Sequence, residues 1–195
     1  MNRALPVFFS LLLFAATAGA AASSGLKSGV FEPPRMAPDF SLRSTAGTDL
    51  QLSRYRGKLV ILEFGYTSCP NVCPESLAML AQARQKLGAL ASQVQVVFVT
   101  VDPERDTADL LRKYLAAFDS SFVGVTGTPA QMEKVRQDYG ITATKEMVEG
   151  SKTNYAVHHS SYLYFVDRQG SLRGLMPFGR TADDIVHDAR ILLKK

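Results

Sequence analysis

The amino-acid sequence predicts an α/β domain built on a central, mainly parallel sheet with helices on both faces. Two observations carry this expectation. Segments 58–66 (KLVILEFGY) and 94–101 (VQVVFVTV) are near-continuous apolar runs, the pattern of strands covered on both sides. Between them Leu77, Leu80, Ala81, Ala83, Leu87 and Leu90 recur at helical spacing from Pro74 onward, with no glycine before Gly88. Strand, helix and strand in that order describe a βαβ unit. The 195 residues, 46% of them hydrophobic, fit one such domain with a short appendage.

The appendage comes first. Met1, Asn2 and Arg3 open a stretch that is apolar to Ala16 and small-residued to Ala22. A basic start, a short apolar run and A-x-A-like residues mark an export signal over residues 1–22, cleaved near Ala20 or Ala22. An uncleaved anchor is the alternative, because the run with its alanine tail approaches the roughly 20 residues that cross a bilayer. The run ends without a cysteine that could carry a lipid. The rest of the chain is then expected outside the cytoplasm, in the periplasm, either secreted or held at the inner membrane. Residues 23–38, rich in Ser, Gly and Pro, read as a tether, and the domain is expected over 39–195.

Past the second strand the alternation continues. A helix is expected from Asp106 and Thr107, with Asp106 as cap and Leu110, Leu111, Tyr114, Leu115 and Phe118 as its apolar stripe. Thr128, Pro129 and Gln131 form a capping-box start for a short helix through Met132, Val135 and Tyr139. Segment 160–166 supplies a strand, 167–170 a hairpin turn and 171–176 a returning edge strand. The last helix begins near Thr181 and sets Ile185, Ala189, Leu192 and Leu193 on one face. The net charge of +4 is spread among acids rather than gathered into a stripe, which argues against a nucleic-acid partner. Membrane contact is expected only through the N-terminal segment.

The chemistry concentrates where the first central strand turns into its helix, at Cys69-Pro70-Asn71-Val72-Cys73-Pro74. A helix start offers unpaired N–H groups and the positive end of the dipole, both of which favour thiolate over thiol. Pro74 fits the first helical turn, where its missing N–H had no partner. Two sulfurs four residues apart can converge on one ion or close a small disulfide ring. In an oxidising compartment a structural disulfide is the default. A pair within a single turn, however, constrains almost no chain and gains little loop entropy, which favours a chemical role. Three intervening residues also set the pair apart from the C-x-x-C redox signature. Among three histidines, His187 lies beside the last helix's apolar stripe, facing solvent. His158 and His159 open the 160–166 strand, whose entry can approach the cysteine turn.

In order and spacing, FGYTSCPNVCP, VDPERDT, TGTP and a histidine entering a strand that ends in VD-x-x-G resemble the Sco (SenC) family over residues 36–195. The resemblance implies a thioredoxin-like fold and copper held by Cys69, Cys73 and His159. It implies delivery of that copper to the dinuclear centre of cytochrome c oxidase subunit II, or reduction of that subunit's cysteines. Other copper oxidases as recipients, and other copper chaperones or thiol reductants as suppliers, follow from the same resemblance. A thiol-disulfide oxidoreductase working through the Cys69–Cys73 redox pair, without obligatory copper transfer, is the alternative. Zinc is the second metal, disfavoured because structural zinc takes four protein ligands. Two positions depart from the family pattern: Asn71 and His158 stand where carboxylates are common. In the DPERDT segment, Asp102 and Pro103 are expected to end a strand and Asp106 to cap a helix, with Asp102 close enough to the site to tune its charge.

Overall fold

The computed structural model describes residues 25–151 and 153–194; the expected export signal lies outside them. In chain order the elements are β1 (Gly29–Met36), β2 (Ser41–Ser44), β3 (Asp49–Gln51), β4 (Leu59–Gly65), α1 (Val72–Leu87), β5 (Val94–Thr100) and α2 (Ala108–Ala116). There follow β6 (Val123–Thr126), α3 (Pro129–Tyr139), β7 (Ala143–Met147), β8 (Tyr155–His159), β9 (Tyr162–Val166), β10 (Ser171–Pro177) and α4 (Ala182–Leu193). Eight strands form one sheet in the order β1-β10-β9-β4-β5-β6-β2-β3, and β7 pairs with β8 in a separate hairpin.

The two apolar runs are the adjacent central strands, parallel from Leu59 opposite Val94 to Gly65 opposite Thr100. Every residue of β4 is buried, which requires cover on both faces. On one face Phe64 meets the rings of Tyr139 and Tyr164 at 5.3 and 5.6 Å. Strand alternation turns Glu63 to the other face, beside α1. There α1 buries Leu77, Leu80, Ala83 and Leu87 and packs against α4. Gly88, with φ 58°, ends α1 before Leu90, and a 3-10 segment over Gly88–Gln93 leads into β5. Both later helices start at threonine capping boxes, Thr128 with Gln131 and Thr181 with Asp184.

Parallel pairing is confined to the centre, β4-β5-β6, and the flanking strands are all antiparallel, so the sheet is mixed rather than mainly parallel as expected. A βα unit attached to an antiparallel β9–β10 pair and a terminal helix is the arrangement expected of a thioredoxin-like domain. Three further expectations change. Residues 29–36, read as tether, form β1 along β10, so β10 is an inner strand and not an edge. Asp188, fully buried on α4, fastens this added strand by accepting from the N–H groups of Lys27 and Ser28 at 2.7 and 2.9 Å. The α2 cap is Thr107, whose side chain accepts from Leu110 N–H, and Leu110 itself stays exposed. His158 and His159 end β8 rather than opening β9. Among the described residues no helix is long and apolar enough to cross a membrane.

Glu63 is the one acid in the β4 run. Burial pushes its carboxyl up to about 8, against a partial lowering by a hydrogen bond from Ser76. Its Oε2 has no partner. A carboxyl whose pKa is raised in the folded state stabilises the fold fully below the unfolded value of 4.5, and that contribution is lost as pH rises toward about 8. Glu63→Gln keeps the shape and removes the titration. We expect the metal-free wild type to lose on the order of a few kcal/mol relative to the variant between these pH values. Urea unfolding of both proteins across that range measures it, and parallel stability curves would contradict the assignment.

Candidate metal centre

The cysteine turn rises directly from the buried end of β4. Asn71 occupies the cap position of α1 without a side-chain hydrogen bond to the helix. Its place is taken by sulfur: Cys69 Sγ accepts from Cys73 N–H at 3.4 Å. Cys73 points inward and is buried; Cys69 is half-buried, and the two are not bonded to each other. The inward sulfur fits only because position 65 is glycine. A Cβ there would lie 2.8 Å from Cys73 Sγ and 2.7 Å from the Phe98 ring.

The histidine arrives from the β7–β8 hairpin. Ala143 lies opposite His159 and Thr144 opposite His158 in that ladder, so the two histidines project to opposite sides. His158 is exposed and its Nε2 pairs with Glu146 Oε2 at 2.6 Å, facing away from the cysteines. His159 faces them. Its Nε2 stands 3.6 Å from Cys73 Sγ, and its ring meets Tyr66 edge-on at 5.8 Å. Nδ1 lies 3.0 Å from the Ser160 carbonyl. A carbonyl only accepts, so Nδ1 carries a proton, and Nε2 is the ring nitrogen directed at the sulfurs. One ligand atom from each of Cys69, Cys73 and His159 lies within 4.8 Å of the others, an arrangement able to hold a metal ion. His187 is remote from this group, bonded to Asp188 on α4.

The sulfurs are not equivalent. A hydrogen bond from the Cys73 thiol holds Cys69 down to about 4, with further help from His159 and the N–H groups of Cys73 and Asn71, against burial. Cys69 is therefore the sulfur on which negative charge is favoured. Cys73 is pushed far up by that same bond and by burial, and it keeps the proton. The expected helix-start effect is thus realised mainly as specific donors to one sulfur.

Two groups that sequence reading treated as local prove to be long-range. Asp106 is buried and accepts from Thr67 N–H at 3.1 Å, Thr67 Oγ1 at 2.6 Å and Thr100 Oγ1 at 2.6 Å. It thereby fixes the head of the cysteine turn; burial raises its pKa despite these bonds. Asp102, fully buried, accepts from the Tyr155 hydroxyl at 2.7 Å and from Arg105. Beneath the centre, Glu63, Ser76, Cys73 and His159 line one small cavity. An acid inside an otherwise apolar strand is the sequence signal that would have found Glu63, and a glycine just before the cysteine turn the one for Gly65.

A family model described as SCO1/SenC matches residues 30–194. A SCO2-like protein of Rickettsia conorii is 33% identical over 132 residues, 68% of this chain and 64% of that protein, so the chain spans just under two thirds of that relative's length. The solution structure of apo Sco1 from Thermus thermophilus is 34% identical, with a TM-score of 0.77 over 90% of this chain and 100% of that one. Copper-bound ScoI of Bradyrhizobium japonicum is 32% identical, with a TM-score of 0.75 over 81% of this chain and 99% of that one. With a family model matched from the first strand to the last helix, this chain belongs to the SCO1/SenC family.

Proposed function

We propose that this protein carries one copper ion on Cys69, Cys73 and His159 and passes it, outside the cytoplasm, to the dinuclear copper centre of cytochrome c oxidase subunit II or of another copper oxidase. The observation that carries the reading is the convergence of two sulfurs and one imidazole nitrogen within 4.8 Å. Two soft sulfur ligands with one imidazole suit copper, and Cu(I) above all. The copper-bound state of the Bradyrhizobium relative supports the choice of metal. Three protein ligands leave a structural zinc one short.

The unequal sulfurs suggest an order of events. An arriving ion meets the accessible Cys69 thiolate first. Engaging Cys73 then requires loss of its proton, so loading releases protons and is favoured as pH rises. His159 contributes Nε2, the ring nitrogen 3.6 Å from Cys73 Sγ.

The same inequality supports a second reading, reduction of a partner. The Cys69 thiolate attacks one sulfur of a partner disulfide and displaces the other as a thiolate, giving a mixed disulfide. Cys73, after losing its proton, attacks Cys69 Sγ, closes the Cys69–Cys73 disulfide and frees the partner's second thiolate. Two electrons pass to the partner, and an external thiol reductant must return them.

Three outcomes test these readings. The reduced protein is expected to take up one copper per chain with sulfur coordination, while the Cys69–Cys73 disulfide form takes up none. Equal uptake by both forms, measured by metal analysis after desalting, would exclude the sulfurs as ligands. His159→Ala is expected to weaken copper binding strongly and remove the native Cu(II) resonance, whereas His158→Ala preserves stoichiometry; a reversed ranking by electron paramagnetic resonance would reassign the ligand. Iodoacetamide at pH 6 is expected to alkylate Cys69 and spare Cys73, since Cys69 is the more accessible sulfur and the donors around it favour its thiolate. Fragment mass spectrometry locates the label, and equal labelling would refute the assignment of the thiolate.

A further inference from the structure

The β7–β8 hairpin pairs with no other strand among the described residues, yet it must hold His159 to within 3.6 Å of a sulfur on another element. Besides the bond from Val157 N–H to the Tyr66 hydroxyl, what holds it is a cluster at its far end, around Tyr155. The Tyr155 hydroxyl donates to Asp102 Oδ1 at 2.7 Å. Arg105 Nε donates to Asp102 Oδ2, and Arg105 Nη1 donates to the Tyr155 carbonyl at 3.0 Å. The Arg105 guanidinium also covers the Tyr155 ring, 3.8 Å from its centroid, while Lys145 approaches the same ring at 4.7 Å and pairs with Glu104.

These contacts are of the kind that resist water. Asp102 is fully buried and the Arg105 side chain is 29% exposed. A bond to a buried carboxylate is stronger than an exposed ion pair, and a cation stacked on an aromatic face adds to it. The cysteine turn has its own separate anchor in Asp106. The two halves also meet at Tyr66, at the head of the cysteine turn, whose hydroxyl accepts from Val157 N–H at 3.3 Å and whose ring touches His159; the Tyr155 cluster is the hairpin's charged anchor and lies apart from that contact.

We propose that Asp102, Arg105 and Tyr155 form a latch that sets the reach of His159 to the two sulfurs, which makes them positioning residues for the ion. The proposal rests on the copper reading above and deepens it. With the latch closed, three ligands converge; with it open, the hairpin swings, the histidine is lost and the sulfurs remain. Latch strength then governs how long the ion is retained, through the fraction of hairpins in the closed state.

The test uses the full domain with Tyr155→Phe, which removes one hydroxyl and keeps the ring. In the metal-free reduced protein, hydrogen exchange at residues 143–159 is expected to quicken while β4 and β5 stay protected. Cu(I) affinity, read by competition with a bidentate chelator, is expected to fall about tenfold, the size of one lost charge-assisted hydrogen bond. In a His159→Ala background the same substitution is expected to cost less than twofold, because the ligand it positions is gone. Unchanged exchange in the hairpin, or an equal loss of affinity in both backgrounds, overturns the latch. Failure of the wild type itself to bind copper overturns the copper reading instead, and the exchange measurement then still decides whether Tyr155 holds the hairpin.

Discussion

The carboxylate of Asp106 ties together the two strand ends on which the centre stands. Thr67 follows β4 by two residues and Thr100 ends β5, and both donate to this one buried group. Parallel strands leave their carboxyl ends side by side, and the loops that leave them have no ladder to fix their direction. A buried acid with three short donors supplies that direction. The cysteine turn departs at a defined angle, α1 begins where Cys69 Sγ can accept from it, and Cys73 drops into the space above Gly65. Without that tie, neither the capping by sulfur nor the inward thiol would be set by local sequence.

What was legible in the sequence follows from what is locally encoded. β4 and β5 were readable because strands buried on both faces must be apolar throughout, and α3 and α4 because Thr128 and Thr181 satisfy helix-start donors within three residues. β1 was not: its residues are almost all exposed, Pro33 and Pro34 interrupt its ladder, and the register shifts between Val30 and Arg35. β7 was not either, since ATKEM carries four exposed residues and no alternation. Asp106 shows a harder limit. An aspartate just before a helix gives the same signal whether it caps that helix or reaches 39 residues back to Thr67, and only the presence of Thr107 as a competing cap separates the two.

Of the candidate ligands, the cysteines were legible from spacing and from their place after a buried strand. Strand alternation predicted only that His158 and His159 would diverge, and the resemblance to the family singled out His159; the structure turns that residue toward the sulfurs, on β8 rather than β9. Alternation is a property of any extended segment, so the two side chains diverge whichever ladder holds them. The His158 imidazole, on the outer side, pairs with Glu146 and brings a carboxylate to the hairpin from a different position. That carboxylate faces solvent and does not replace one beside the sulfurs.

Charge near the sulfurs then turns on Glu63. With Asn71 uncharged and His158 turned away, the carboxyl that lines the cavity with Cys73 and His159 is Glu63, which burial pushes toward its protonated form. In the proposed centre, a Cu(I) ion on two thiolates and one imidazole would carry one net negative charge. An ionised Glu63 beneath it would add a second at a buried position, where like charges repel more strongly than in water. The Cys69 charge already contributes to raising Glu63, so each sulfur that gains negative charge strengthens the tendency of that carboxyl to stay neutral. The buried acid and the thiolate are thus linked in opposite senses. A group that would be a plain destabilising defect in an ordinary core is here held in its uncharged form by the same burial and the same sulfur that make the centre what it is.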